Sequence, residues 1–334
     1  MTITFDKLVL KEQFPGVITS NQKDISYDEL LNIIKNNHKE LVGALKSHGA
    51  LLFRGMPIRN AKQFSNFITN LGLGSFVNYI GGDSPRDKVD GGVYTSTEAP
   101  PSLHIPLHQE LSFIKNFPKN IYFYCDTAPQ TGGETIIADA RQVYKAFDKS
   151  FLDKFQNKKL TYISRYYYKS KVMSFVNKLQ RSHKSWTEVF ETDDKQDVEK
   201  KCLQNDFQWR WHKKDWLEIR QTRPAVCEHP DTFDKVWFNQ AHLYDFNPRL
   251  LGLKRYLGAK IFYYNKSTLM HEIKYADGSC VSRKDLYYIL DVLEANTVAF
   301  PWQKNDVLVL DNVLAMHGRA PFKGDRRILT ALTS

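Results

Sequence analysis

The chain has 334 residues and a formal net charge of +10, with 42% hydrophobic and 13% aromatic residues. This length and composition predict a globular protein with a large core and exclude a disordered chain. The first residues, MTITFDKLVLKEQF, lack the features of a signal peptide, and no run of 18 apolar residues predicts a membrane-spanning helix. Four cysteines without CxxC pairing fit neither a zinc ribbon nor a disulfide scaffold, so we expect a cytoplasmic protein.

The excess positive charge is spread along the chain and does not form a clear nucleic-acid-binding stripe. We interpret it as a generally basic surface and expect neither a nucleic-acid nor a membrane partner. The alternative is an acidic macromolecular partner, for example an acidic carrier protein that presents a tethered substrate.

The first part of the chain predicts helices around one strand. Apolar residues recur at helical spacing over 27–49, and Gly49 is placed to end that helix. An apolar strand at 50–54 and a second helix at 60–71 follow.

From Val93 onward, short strands are separated by Gly, Pro and Asn, and the clearest are 121–125, 134–138, 236–239, 307–310 and 327–330. Helices are predicted at 140–160 and at about 185–204. The segment 160–217 is charged and aromatic without a strand-like alternation. We predict that it is a helical insertion within a single domain spanning 1–334, because no linker flanks it.

The stretch HIPLHQELSF at 104–113 places histidines and a glutamate in an apolar run. A zinc-binding helix through His104 and His108 is excluded because Pro106 would break it. In an extended strand, His108, Glu110 and Ser112 would share one face. Two potential metal ligands, His108 and Glu110, therefore point in one direction.

A third ligand is expected from a distant strand. His317 follows an apolar strand and precedes a glycine, so we place it at a strand end. Two histidines and one carboxylate leave three octahedral positions open, the arrangement of non-haem Fe(II) oxygenases. Arg327 lies ten residues further on, and its planar guanidinium can hold one carboxylate of a dicarboxylic co-substrate. Side chains alternate along a strand, so at most one of Arg326 and Arg327 can face the site. We assign Arg327 to the site and interpret Arg326 as a surface or salt-bridge residue.

Several long motifs give the chain a family resemblance. It resembles the taurine-dioxygenase-like (TauD/TfdA, clavaminate-synthase-like) branch of Fe(II)/2-oxoglutarate oxygenases, and most closely the syringomycin-type hydroxylases of amino-acid and nonribosomal-peptide tailoring. The motifs are GGDSPR at 81–86, VYTSTEAP at 93–100, IPLHQELSF at 105–113, GGETIIADAR at 132–141, SWTEVFETDD at 185–194, RPAV at 223–226, HPDT at 229–232, VWFNQAH at 236–242, FPWQKNDVLVLDN at 300–312 and HGRAPFKGDRRIL at 317–329.

The resemblance implies a fold, mainly β with flanking helices, built on a double-stranded β-helix (jelly-roll) core. It implies Fe(II) bound by His108, Glu110 and His317, and 2-oxoglutarate held by Arg327 and by Thr135 of the GGET motif. With O2, the implied reaction hydroxylates an unactivated C–H bond of an amino-acid-like substrate, free or carrier-tethered, and releases succinate and CO2.

Three further positions refine this expectation. Halogenases of this chemistry replace the carboxylate ligand with a small residue, so Glu110 argues against halogenation. Taurine-specific members carry a further arginine where this chain has Ala331, which argues against sulfonate capture. Phe233 replaces the glycine of the HPxTG pattern common in the superfamily.

Several alternatives stay open at this point. Asn239, Arg220 and Arg223 are candidate substrate contacts, or else make structural hydrogen bonds between strands. Related enzymes desaturate or rearrange their substrates instead of hydroxylating them. Outside this reaction class, the same ligands would suit a zinc-dependent hydrolase, and the basic surface would suit a non-catalytic module that binds an acidic partner.

Overall fold

The fold is that of a computed structural model, which describes residues 2–11, 13–22, 25–77, 87–96, 99–168, 184–262 and 269–334. Residues 81–86 and 97–98 of the family motifs lie outside this range, as do residues 169–183 of the predicted insertion. Within the described residues, no helix has both the length and the apolar character needed to cross a membrane.

The described residues alternate between strands and helices, as the sequence predicts in outline. The strands are β1 Thr2–Phe5, β2 Leu8–Lys11, β3 Gly16–Ser20, β4 Ala50–Phe53, β5 Lys88–Asp90, β6 Val93–Thr95, β7 Ile105–His108, β8 Asn120–Thr127, β9 Thr131–Gly132, β10 Thr135–Asp139, β11 Leu160–Tyr166, β12 Gln208–His212, β13 Trp216–Arg223, β14 Val226–Glu228, β15 Lys235–Trp237, β16 His271–Tyr275, β17 Val307–Asp311, β18 Ala315–Arg319, β19 Phe322–Lys323 and β20 Arg327–Thr333. The α-helices are α1 Tyr27–Asn36, α2 His38–His48, α3 Ala61–Leu71, α4 Ala140–Ala146, α5 Lys149–Lys158, α6 Trp186–Val189, α7 Lys195–Gln204, α8 Pro248–Leu251, α9 Leu253–Phe262 and α10 Arg283–Ala295.

The N-terminal helices begin and end where capping chemistry requires. Ser26 and Glu29 form a capping box at the start of α1, and Gly49 ends α2 in the left-handed conformation (φ 72°). The helix predicted over 27–49 is two helices. The side-chain amide of Asn37 donates to the Ile33 carbonyl at 2.8 Å, which competes with continuation of the helix.

The largest sheet is covered on both faces. Its strand order is β1-β2-β3-β4-β17-β8-β20-β6-β5. In β4, Leu51 and Phe53 pack with the N-terminal helices, whereas Ala50 and Leu52 pack into the cluster on the opposite face. Burial on both faces explains why its central strands are continuous apolar runs without polar alternation.

A three-stranded sheet of order β10-β18-β7 lies against the inner face of the large sheet. One buried cluster joins the two sheets, with Phe123 and Ile328 from the large sheet and Ile137 and Ala315 from the small one. Two facing sheets with helices outside confirm the predicted mixture of sheets and helices. The three-stranded sheet carries two of the predicted metal ligands.

The prediction that 160–217 is a helical insertion is wrong for the described residues. This range contains β11, β12 and the start of β13, which join β16 in a four-stranded sheet of order β12-β13-β11-β16, and among its described residues only α6 and α7 are α-helical. The alternation was obscured because charged residues are themselves covered: on β11, the Arg165 side chain is only 12% exposed. The charged residues in the sequence therefore did not indicate which face of the strand is exposed.

Candidate active site

The three predicted ligands converge in the structure. His108 at the end of β7 pairs directly with His317 on β18, and their ring centroids lie 4.4 Å apart. His317 Nε2 lies 3.6 Å from Glu110 Oε2, and one potential ligand atom from each of the three residues lies within 4.8 Å of the others. Glu110 and His317 are almost fully buried.

Glu110 reaches the site by a different route from the one predicted. The sequence interpretation placed it on an extended strand with His108, but β7 ends at His108 and residues 110–112 form a turn. Leu111 has a left-handed backbone (φ 54°), which reverses the chain directly after Glu110. The predicted convergence of the side chains was right, and the predicted strand geometry beyond His108 was wrong.

The protonation state of His108 suits a metal ligand. Burial, reinforced by the neighbouring His317 and opposed by Glu110, lowers the pKa of His108 to about 3, so its imidazole is neutral near neutral pH. A neutral ring can donate only from Nδ1 to the Pro106 carbonyl, 2.9 Å away. This hydrogen bond fixes the tautomer and leaves the Nε2 lone pair available for a cation.

The environments of the adjacent Arg326 and Arg327 are the reverse of those predicted. The Arg327 side chain is 53% exposed and pairs with Asp126 at 2.9 Å. Arg326 is turned inward instead: Nε donates to the Gly133 carbonyl at 2.9 Å, and the guanidinium lies 5.6 Å from the Phe322 ring centroid. The assignment of Arg327 to the interior and Arg326 to the surface is therefore wrong. Arg326 lies before β20, and the pairing of β20 with β8 shifts register between Arg327 and Ile328, so regular strand alternation does not hold at this position.

Arg326 carries a partly buried charge without an ion-pair partner among the described residues. Burial, together with the nearby Arg319, lowers the pKa of its guanidinium to about 10, so it stays protonated near neutral pH. No ion pair of Arg326 occurs within the part of the chain that the structure describes. Thr135 on β10 is 2% exposed. It lies opposite Arg319 of β18, the strand that also carries His317.

The three candidate substrate contacts make hydrogen bonds or ion pairs within the protein. The amide of Asn239 donates to the Ala225 carbonyl at 2.9 Å and accepts from the Ala241 N–H at 3.1 Å, so both of its ends are engaged. Arg220 is exposed and pairs with Glu218 at 2.8 Å. Arg223 is partly buried, with Nη1 3.7 Å from Asp206. Among the described residues, none of these three contacts the metal-ligand cluster, and their role in substrate binding stays a prediction.

Sequence reasoning missed the polar residues that hold the turn around Glu110. Asn312, directly after β17, hydrogen-bonds both backbone groups of Glu110, and Asp311 pairs with His229 at 3.0 Å. A signal was present, because an Asp-Asn pair at the end of a fully apolar strand is out of place unless its side chains are satisfied.

Comparison with known proteins agrees with this geometry. Residues 11–333 match the family described as taurine catabolism dioxygenase TauD, TfdA family. The chain belongs to the TauD/TfdA family. It is therefore an oxygenase of a family that uses Fe(II), 2-oxoglutarate and O2. This membership argues against the zinc-hydrolase and non-catalytic alternatives.

Two curated relatives extend over almost the whole TauD/TfdA chain. The dapdiamide synthesis protein DdaC of Enterobacter agglomerans is 32% identical over 317 residues, which cover 95% of this chain and 90% of that protein. A clavaminate synthase-like protein of Arabidopsis thaliana is 29% identical over 328 residues, covering 96% and 93%.

Solved structures support the TauD/TfdA fold. PvcB of Pseudomonas aeruginosa, described as an Fe, alpha-ketoglutarate dependent oxygenase from an isonitrile synthetic pathway, superposes with a TM-score of 0.54 at 14% identity, over 99% of this chain and 92% of that one. AAD-2 in complex with Mn(II) and N-oxalylglycine gives a TM-score of 0.54 at 14% identity, over 98% and 96%. At this identity the likeness concerns the fold.

Proposed function

We propose that the chain binds one Fe(II) through His108, Glu110 and His317 and hydroxylates an unactivated C–H bond of an amino acid or amino-acid-derived substrate, with release of succinate and CO2. The observation that carries the proposal is the convergence of three ligand atoms within 4.8 Å. A single metal ion could be bound by all three atoms at this separation.

The donor set fits a ferrous ion. Two imidazoles and one carboxylate suit iron and leave positions open for a co-substrate and O2. When bound, the iron supplies the oxidative chemistry that couples decarboxylation of 2-oxoglutarate to attack on a C–H bond. The protein contributes the fixed His108 tautomer, the orientation of Glu110 and a largely apolar interior that limits the access of water.

We assign the distal carboxylate of 2-oxoglutarate to Arg326 in place of Arg327, with Thr135 as its hydroxyl neighbour. Support comes from charge: the partly buried Arg326 guanidinium has no ion-pair partner among the described residues, whereas Arg327 is already paired with Asp126. A dicarboxylate would supply the missing anion through a charge-assisted, bidentate contact.

The architecture proposed for the core is the double-stranded β-helix, within one domain that spans 1–334. The antiparallel pairings of β8 with β17 and β20, and of β18 with β7 and β10, give two facing sheets with the ligands between them. These pairings support the assignment, as does the shared buried cluster. The four cysteines are all free, which supports a reducing compartment such as the cytoplasm.

The substrate class rests on the curated relative and on Glu110. The relative named for dapdiamide synthesis supports amino-acid tailoring in secondary metabolism. The retained carboxylate ligand disfavours halogenation. The net charge of +10 supports, but does not require, an acidic carrier protein as the bearer of the substrate.

The test begins with anaerobic titration of the apoprotein with Fe(II) and 2-oxoglutarate, followed by the visible charge-transfer band of a chelated 2-oxo acid. We expect a band in the wild type and none in His317→Ala. A folded wild-type protein that gives no band would overturn the proposal.

Substrate screening follows in O2 with free amino acids and with the same amino acids loaded on a carrier protein. Substrate-dependent succinate release with gain of one oxygen atom, measured by mass spectrometry, supports hydroxylation. Loss of two hydrogens instead would assign desaturation.

A further inference from the structure

The backbone of Glu110 is not held by a strand ladder. β7 ends two residues earlier, and the chain reverses at Leu111 in the left-handed conformation (φ 54°). This conformation is costly for a residue with a side chain, so the turn persists only if surrounding contacts determine it. The direction of the Glu110 carboxylate depends on those contacts.

Two buried side-chain amides bind the peptide groups on either side of Glu110. Asn312 Oδ1 accepts from the Glu110 N–H at 2.7 Å, and Asn312 Nδ2 donates to the Glu110 carbonyl at 2.9 Å. Gln240 Nε2 donates to the Gln109 carbonyl. Asn312 and Gln240 are 0% and 6% exposed, so water does not compete for these hydrogen bonds.

Asn312 is itself rigidly placed. Its Nδ2 also donates to the Pro118 carbonyl at 2.8 Å, and its backbone N–H donates to the Lys119 carbonyl at 2.8 Å. The turn that it begins is closed by Asp311, which accepts from the next two backbone N–H groups at 2.9 and 3.1 Å. That turn leads directly into β18 and therefore to His317. Asn312 thus joins the backbone of one proposed ligand to the segment that carries another.

We propose that Asn312, assisted by Gln240, is a positioning residue that fixes the Glu110 carboxylate relative to the two histidines. The two amides take the place of the strand pairing that Glu110 lacks. Both act through backbone groups flanking Glu110 and not through the ligand atoms. This inference rests on the proposed metal site, and it adds the residues that hold its single carboxylate in place.

The test measures metal binding in the absence of turnover. Co(II) is titrated into the full-length apoprotein, and its dissociation constant and visible d–d spectrum, which reports coordination geometry, are recorded together with the melting temperature. The variants are Asn312→Ala and Gln240→Met. The matched control is Asn247→Ala, because Asn247 is also 0% exposed and bonds only local backbone and Asp245 while capping α8.

We expect Asn312→Ala to weaken Co(II) binding about 10- to 100-fold and to alter the spectrum, as loss of a group that orients a ligand does. Gln240→Met should do the same to a smaller extent, and it carries the test if Asn312→Ala does not fold. Asn247→Ala should lower the melting temperature without changing the spectrum.

Unchanged affinity and spectrum in folded Asn312→Ala, or in Gln240→Met if only that variant folds, would overturn the positioning role. A His317→Ala arm separates this outcome from failure of the metal site. If His317→Ala binds Co(II) as tightly as the wild type, the proposed site is wrong, and the positioning role is overturned with it. If only His317→Ala loses binding, the site stands and the positioning role alone is overturned.

Discussion

The protein balances charge differently in two regions, the Glu218 network on the four-stranded sheet and the surroundings of Arg326 beside β20. On the four-stranded sheet, Glu218 is 4% exposed and binds both Arg165, at 2.7 Å, and Arg220, at 2.8 Å. Burial alone would raise the pKa of Glu218, but hydrogen bonds from these two arginines hold it below its usual value. Beside β20, Arg326 is partly buried and has only neutral hydrogen-bond partners among the described residues.

The difference separates structure from function. A charge network that is balanced within the protein needs nothing further, so it indicates a structural role. A buried charge that is left unbalanced costs free energy in the empty protein, and this cost is recovered when an oppositely charged ligand binds. By this criterion we expect Arg326 to contact a charged ligand, and we expect the network of Glu218 and Arg165 to have a structural role.

The sharpest test removes ligands from the proposed metal site. We expect Glu110→Ala and His317→Ala to abolish succinate formation, because two remaining ligands would not retain the iron. Both apoproteins should stay folded, since the substitutions leave the apolar clusters of the core intact. Succinate formation and thermal unfolding measured on the same samples check both statements, and a substantial residual turnover with either variant would contradict the comparison.

The next effect compares neighbouring arginines. Arg326→Ala should raise the KM for 2-oxoglutarate at least about 100-fold, because it removes a partly buried, bidentate partner of a carboxylate. Arg327→Ala is the matched control and should change this KM by less than about twofold, since exposed ion pairs contribute little. Steady-state kinetics with varied 2-oxoglutarate measures both KM values. A larger rise in Arg327→Ala than in Arg326→Ala would restore Arg327 as the residue that binds the distal carboxylate.

The scaffold network should affect stability and not co-substrate binding. Glu218→Ala leaves Arg165 without its shorter ion pair, so we expect a loss of about 2 kcal/mol in the free energy of unfolding. The figure lies below that for a fully buried pair because the Arg220 side chain is 48% exposed. Urea unfolding measures this loss, and the KM for 2-oxoglutarate should stay constant. A large rise in that KM would place the network in the ligand site.

A buried group that stays neutral should give the smallest effect. His242 is 0% exposed and bonds the Leu107 carbonyl at 2.9 Å, and burial lowers its pKa to about 4 from the usual 6.5. Because its pKa is lower in the folded state, the unfolded chain binds more protons between these values. The contribution of His242 to stability therefore falls as the pH drops below 6.5, by about 1.4 kcal/mol per pH unit.

Urea unfolding at pH 7 and pH 5 measures this dependence. His242→Gln retains a donor for the Leu107 carbonyl and does not titrate, so its stability should depend less on pH than that of the wild type. Equal pH dependence in the two proteins would contradict the assignment of His242 as a buried neutral residue.

The sequence by itself determined the elements whose signals are local. Capping residues and helical periodicity predicted helices ending at Gly49 and Leu71, and apolar runs predicted the central strands of the large sheet. The identities of His108, Glu110 and His317 as a cluster were also predictable, because few arrangements make a carboxylate between histidines acceptable in an apolar segment.

Tertiary structure alone decided which way those residues point. The choice between Arg326 and Arg327 depended on how β20 begins against β8, where the pairing register shifts between Arg327 and Ile328. The turn at Glu110 depended on Asn312, which lies 202 positions away in the sequence. The strands within 160–217 depended on which charges their neighbours cover and balance. Each of these three features depends on residues distant in sequence, so a local sequence pattern does not predict it.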